Sequence, residues 1–263
     1  MSDYSTLELT IDGGIARLVL NQPERGNPVD ATSSRELKEV AITLSENDNV
    51  RVVLLTARGR AFSVGGDIKT FAKDRAALST IVKAWTADFH SAIVRLMRMR
   101  APVIAAVHGA VGGGSVSFVA ACDLVYAARN VKFGSGFAQI GFSPDSGSTV
   151  TLTQRMGLSR AKRFLMLSEV LSAEEAAKAG LVDVVTDEAA LMQDAEAAAQ
   201  VLAKAAPLAI GGIKQLMLRT RVQGVEAQME DEAQTLAGIA RSDDAWEGIN
   251  AFLQRRKPEF RGK

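Results

Sequence analysis

Apolar and polar positions alternate with a changing period along the 263 residues, and each change marks an element. Residues 7–11 and 15–20 read as strands, and Asp12-Gly13-Gly14 between them is a hairpin signal. Asp30 is placed to cap a helix running to about Asn47. A strand over 52–56 follows, then an irregular stretch over 70–79. Ile81, Trp85, Phe89, Ile93 and Leu96 recur at a spacing near four, which predicts an amphipathic helix. A strand over 103–107, an apolar helix over 116–121 and short strands over 124–127 and 131–133 come next. This repeated strand-turn-helix unit predicts an α/β fold with layered sheets. The second half reads as mostly helical. Ser172-Ala173-Glu174-Glu175 is a capping-box pattern, and a strand over 182–185 interrupts the helices. Helical patterns near 188–205, 208–223, 225–241 and 243–254 close the chain, and Pro207 suits a first helical turn.

The strands over 52–56 and 103–107 each run into a glycine-rich turn. The first is Ala61-Phe62-Ser63-Val64-Gly65-Gly66-Asp67-Ile68, and the second is His108-Gly109-Ala110-Val111-Gly112-Gly113-Gly114-Ser115. Such a turn at a helix start presents free backbone N–H groups and favours negative charge. Two of them together can hold one oxyanion. A carboxylate follows in Ile140-Gly141-Phe142-Ser143-Pro144-Asp145-Ser146-Gly147.

Hydrophobic residues at 47% and charged residues at 23% predict a well-buried core, and the length suits one large domain or a domain with an appendage. A net charge of +1 gives no electrostatic case for nucleic acid or an anionic membrane. The single cysteine, Cys122, excludes an internal disulfide and reads as a buried structural thiol within an apolar helical run. The start, Met1-Ser2-Asp3-Tyr4, lacks a signal-peptide pattern, and no apolar run approaches the roughly 20 residues of a membrane span, so a cytoplasmic location is expected. His90, His108 and Cys122 have no metal-ligand spacing, so no metal is expected.

The two turns, together with Asn21-Gln22-Pro23-Glu24-Arg25-Gly26-Asn27-Pro28 and Ala245-Trp246-Glu247-Gly248-Ile249-Asn250-Ala251-Phe252-Leu253, resemble the crotonase family, the enoyl-CoA hydratase/isomerase superfamily. The resemblance runs nearly end to end and includes the tail 255–263. It implies a ββα spiral over 1–200 as an acyl-CoA-binding catalytic core. It also implies a helical region over 201–263 that covers the active site and assembles a homotrimer or a dimer of trimers. The substrate is then a CoA thioester and no other cofactor is required. By motif position the thioester oxygen would sit between the N–H groups of Gly66 and Gly114. Losing one such donor costs on the order of 3–4 kcal/mol in the transition state.

The two glutamates of a hydratase in this family fall at Ser117 and Phe137, so addition of water held by two carboxylates is not supported. The resemblance leaves Asp145 as the single acid/base of an isomerase that removes a proton from one carbon and returns it two positions along. Phe137, Ile140 and Phe142 would supply an apolar pocket that raises its pKa. The segment 137–147 and the tail through Phe260 and Lys263 are most similar to isomerases of the phenylacetate pathway; Val64-Gly65-Gly66-Asp67 departs from the common pattern in the acyl pocket. The rival within the family is the 4-chlorobenzoyl-CoA dehalogenase, where the aspartate is a nucleophile aided by a histidine and a tryptophan. His90 lies in the matching helix, but the tryptophan position is Phe137. A non-catalytic acyl-CoA-binding subunit is the reading from another class, and an RNA-binding relative is disfavoured by the near-neutral charge.

Plainer readings stand beside these. Asp145 in Pro-Asp-Ser-Gly can simply cap the next helix, and His90 can be a satisfied structural histidine. His108 stands where crotonases usually have Asn and reads as structural. Gly112 to Gly114 can be a close-packing turn, and Asp67 reads as a cap or brace of its own turn. The resemblance places substrate contacts at Ala61, Ser63, Gly65, Asp67, Ile68, Phe137, Phe142 and Phe260, with Arg25, Lys69 and the basic tail as partners for CoA phosphates or as solvated charges. Pocket shape depends on the stretch from Phe71 to Phe89, and Leu96-Met97-Arg98-Met99 reads as core with charged edges.

Overall fold

In the computed structural model, which describes residues 4–263, the chain starts with the expected hairpin. β1 (Leu7–Asp12) and β2 (Ile15–Leu20) pair antiparallel, Leu7 against Leu20 and Asp12 against Ile15. Gly13 and Gly14 both have positive φ (57° and 81°), the left-handed pair that a tight hairpin turn needs. α1 (Ala31–Ser45) follows. The Asp30 carboxylate accepts the N–H groups of Thr32 and Ser33, and the Ser33 hydroxyl accepts the Asp30 N–H, so the helix start is capped from both sides.

The first half then alternates as β3 (Val52–Ala57), α2 (Ile68–Phe71), α3 (Leu78–Arg98), β4 (Val103–Val107), β5 (Ala110–Gly112), α4 (Gly114–Ala120), β6 (Leu124–Ala128) and β7 (Lys132–Gly134). α5 (Ser148–Met156), α6 (Leu158–Met166), β8 (Val170–Ser172), α7 (Ala173–Lys178) and β9 (Val184–Thr186) lead into α8 (Leu191–Lys204), α9 (Pro207–Arg219), α10 (Val225–Ile239) and α11 (Asp243–Leu253). Six strands form a sheet in the order β1-β2-β3-β4-β6-β9, parallel from β2 onward. β5, β7 and β8 form a second, smaller sheet. The central parallel strands are covered on both faces, which is why 52–55 and 104–107 are continuous apolar runs and essentially fully buried. α1 and α3 pack on each other, and α3 is tied to α4 by the edge-to-face pair Phe89–Phe118, 5.6 Å between centroids.

Several predicted boundaries move for identifiable reasons. The strand expected over 182–185 begins at Val184, because the Leu181 and Val182 N–H groups bond Ala176 O and close α7 instead of joining the sheet. α4 starts at Gly114, two residues earlier than its apolar pattern, with Gly113 (φ 51°) before it. Cys122 lies just beyond α4 rather than inside it; burial pushes its thiol up to about 12. β5, β8, α5 and α6 have no counterpart in the pattern. The strands have three residues each, and α5 buries Ser148 and Thr151 beside Leu152 and Met156, so no apolar stripe marks it. Ser172 and Glu175 do form the reciprocal capping box that their spacing predicts. No single helix among the described residues is long and apolar enough to cross a membrane.

Candidate active site

The two glycine turns are zipped together through their backbones. Val29 donates to Gly65 O (2.8 Å), and Asp67 donates to Val29 O (3.0 Å). Ser63 donates to Ala110 O (3.2 Å), and Gly112 donates to Ser63 O (2.9 Å). The glycines are there because the chains nearly touch. A Cβ on Gly65 would lie 2.7 Å from Gly112 O, and a Cβ on Gly112 would lie 2.7 Å from Val64 O. The buried Ser63 hydroxyl donates to Asn27 O (2.7 Å) and meets the Ser115 hydroxyl (2.6 Å), which pins both turns to the segment before α1. Gly112 is therefore the close-packing glycine of the second turn. Gly66 and Gly114 have another position: no acceptor among the described residues takes their N–H groups, and both line one cavity of about 880 Å³.

Asp145 stands against the second turn in the same cavity. A Cβ on Gly114 would lie only 2.8 Å from Asp145 Oδ1. The Ser146 hydroxyl donates to that Oδ1 (2.9 Å), and the N–H and hydroxyl of Ser148 both donate to the Asp145 carbonyl (2.9 and 2.6 Å). Asp145 does not cap α5: the capping position is Gly147, with no side-chain bond. Burial raises the Asp145 carboxyl above its usual range, against a smaller lowering effect of the Ser146 hydroxyl. Asp145 is the one carboxylate among the described residues that line this cavity.

The two positions where hydratase glutamates are expected carry no charge. Ser117 is fully buried and its hydroxyl bonds that of Ser148. Phe137 is 9% exposed and forms part of the cavity wall with Ile140 and Phe142. Phe71, Trp85 and Phe89 complete an aromatic lining; Phe71 lies 5.0 Å from Trp85 and 6.1 Å from Phe142 between centroids. The helical period alone puts Trp85 on the apolar face of α3, and no pattern brings Phe71 to it. Arg75 and Lys83, also missed by pattern, are exposed on the same wall. His90 comes to the site indirectly: its Nε2 accepts the Ser146 N–H at 2.9 Å.

The other candidates divide between the cavity and its surroundings. Ile68 lines the cavity, whereas the buried Ser63 and Gly65 are packing residues of the turns. Ala61 is outside the lining, and its carbonyl accepts from Asn27 Nδ2. Arg25 is engaged with Asp30 (2.7 Å) and Asp67 (2.8 Å), bracing the first turn. Asp67 caps α2 through Thr70; burial pushes its carboxyl up, but Thr70 and Arg25 outweigh that and hold it low. Lys69 is exposed. Phe260 lines a separate groove with Ala206, Ile249 and Phe252. His108 Nε2 bonds Gly59 O at 2.9 Å, a structural contact.

Two backbone N–H donors and one carboxylate facing an apolar cavity on an α/β scaffold define a site able to hold an oxyanion and move a proton beside it. The sequence pattern of the family described as Enoyl-CoA hydratase/isomerase matches residues 10–263, and the chain belongs to that family. It is 34% identical over 256 residues to the 1,2-epoxyphenylacetyl-CoA isomerase of Escherichia coli (strain K12), covering 96% of this chain and 97% of the relative. It is 31% identical over 263 residues to a probable enoyl-CoA hydratase of Bacillus subtilis (strain 168), covering 98% and 100%. The crystal structure of an enoyl-CoA hydratase from Polaromonas sp. JS666 superposes with a TM-score of 0.92 at 29% identity, covering 97% and 99%. The resemblance to this family thus holds, and the α/β fold is that of crotonase structures.

Proposed function

We propose that this enzyme is an acyl-CoA isomerase. The N–H groups of Gly66 and Gly114 hold the thioester oxygen, and Asp145 shuttles one proton. In a β,γ-unsaturated thioester the Asp145 carboxylate takes a proton from C2. The C–H electron pair moves toward the carbonyl and the oxygen becomes an enolate held by the two N–H groups. The electrons then return through C2 and C3, and C4 recovers the proton from Asp145, giving the conjugated product with no net change in atoms. Burial suits Asp145 to both halves, since a raised pKa strengthens the base and keeps the acid protonated until C4 receives it.

The observation that carries the proposal is that Asp145 is the one carboxylate among the described residues that line the cavity, with Ser117 and Phe137 where hydratase glutamates are expected. The aromatic wall of Phe71, Trp85 and Phe142 favours a flat unsaturated or aryl acyl group, in line with the Escherichia coli relative, a 1,2-epoxyphenylacetyl-CoA isomerase. Arg75 and Lys83 offer cations to the CoA phosphates. Residues 1–200 act as the catalytic core, and 201–263 as the assembly region of a trimer or hexamer. Exposed Trp246, Phe252 and Leu253 support that assembly role.

The nucleophilic alternative needs a histidine nitrogen free to activate water beside Asp145. The Nε2 lone pair of His90 is instead occupied by Ser146, and Phe137 has no N–H to offer. The test is conversion of a β,γ-enoyl-CoA to its conjugated isomer. Wild type should convert it and Asp145→Asn should not, and neither should hydrate crotonyl-CoA rapidly. Rapid hydration surviving Asp145→Ala would defeat the proposal.

A further inference from the structure

We infer that His90 is a positioning residue: its neutral, Nδ1-protonated ring holds the turn that aims Asp145. The argument starts from donor inventory. The Ser146 backbone N–H can only donate, so the nitrogen 2.9 Å away, His90 Nε2, must present a lone pair. The ring proton is then on Nδ1.

The turn needs such a hold. Ser146 is a non-glycine residue at φ 55°, is 2% exposed, and is followed by Gly147 at φ 77°. L side chains rarely adopt that conformation, and a buried N–H without a partner is rarer still. No other acceptor among the described residues takes the Ser146 N–H. Ser146 is bonded at both ends: its amide goes to His90 and its hydroxyl to Asp145 Oδ1. His90 itself is carried by a helix anchored through buried Phe89 and Ile93. A rigid helix thus fixes the carboxylate through one intervening residue. With its Nε2 lone pair committed, His90 cannot take a proton there without releasing the turn, which separates this role from that of a general base.

The inference rests on Asp145 being the acid/base, so its test has one readout that does not depend on activity. The chain has two histidines, and they should be opposite tautomers. His108 Nε2 faces the Gly59 carbonyl and must carry hydrogen in a neutral ring, whereas His90 must carry it on Nδ1. Long-range 1H–15N spectra of the unaltered protein at neutral pH should show one tautomer of each kind, with the Nδ1–H signals absent from His90→Gln. An Nε2–H or cationic His90 would overturn the inference.

In kinetics on the β,γ-enoyl-CoA, His90→Gln places a carbonyl oxygen at the Nε2 position and should keep a near wild-type kcat. His90→Leu removes the acceptor; a carboxylate shifted by about 1 Å should lower kcat on the order of 100-fold with KM little changed. Equal rates for the Gln and Leu variants would also overturn it. An active Asp145→Asn, by contrast, would sink the isomerase proposal while leaving the tautomer result intact.

Discussion

Gly114→Ala perturbs the proposed chemistry with one methyl group. The added Cβ would lie 2.5 Å from Ser146 Oγ, 2.8 Å from Asp145 Oδ1 and 3.4 Å from Ser146 Cβ. To restore contacts of about 3.4 Å, the hydroxyl must retreat by about 0.9 Å and the carboxylate by about 0.6 Å. Neither moves freely, because Ser146 is buried and bonded through both its amide and its hydroxyl. A displacement approaching 1 Å costs on the order of 100-fold in rate, equal to about 2.7 kcal/mol of barrier. The effect on folding is smaller. Overpacking costs about 1–3 kcal/mol, and replacing a helical glycine by alanine returns about 0.8–1 kcal/mol. The variant should therefore remain folded, lose a few degrees of melting temperature at most, and convert β,γ-enoyl-CoA about 100-fold more slowly at saturation. Gly238→Ala in α10 makes the same chemical change with no heavy atom within 4 Å, and should retain full activity. A correctly folded Gly114→Ala enzyme with wild-type kcat would refute the proposed catalytic pairing of Asp145 with the Gly112–Gly114 turn.

Asp145→Asn should raise thermal stability at neutral pH. The native carboxyl is lifted above its ordinary value, so as pH rises from that value to the raised one the unfolded chain releases its proton first. Wild-type stability falls through that window and stays reduced above it, whereas Asn does not ionise. The melting-temperature gap should close in acid and open towards neutral pH. Lys214 is buried with its ammonium on Leu96 O (2.7 Å), Ala101 O (2.9 Å) and Asp123 (2.8 Å), closing the end of α3. Lys214→Met should cost about 1–3 kcal/mol in urea unfolding, because it leaves the Leu96 and Ala101 carbonyls without their donor. Cys122, with its thiol pushed up to about 12, should resist iodoacetamide at pH 8 in the native protein and react on unfolding.

Features governed by local backbone demands were legible in the sequence. Gly13-Gly14 needed left-handed φ, and Asp30 had unpaired N–H groups to cap. The resemblance singled out two turns and a carboxylate that the fold brings to one cavity. Features made by distant segments were not legible. Phe71, Trp85 and Phe142 meet only because α2, α3 and the turn before α5 converge on one cavity. Arg25 reads as a free cation until the fold brings Asp67 to it, 42 residues along the chain. Phe260 resembles a site residue by motif, yet within the chain it packs in the groove beside α11. His90 sits among the apolar positions of α3, and only the fold reveals that its partner is the Ser146 amide.

The most direct test of the central claim is single-turnover conversion of a β,γ-enoyl-CoA by wild type and Asp145→Asn, each saturated with substrate and shown to bind it. One carboxylate acting as acid and base predicts that Asp145→Asn slows the proton shift by on the order of 100- to 10,000-fold with binding retained. Conversion at the wild-type rate by Asp145→Asn would contradict it and would move the chemistry to a group other than Asp145.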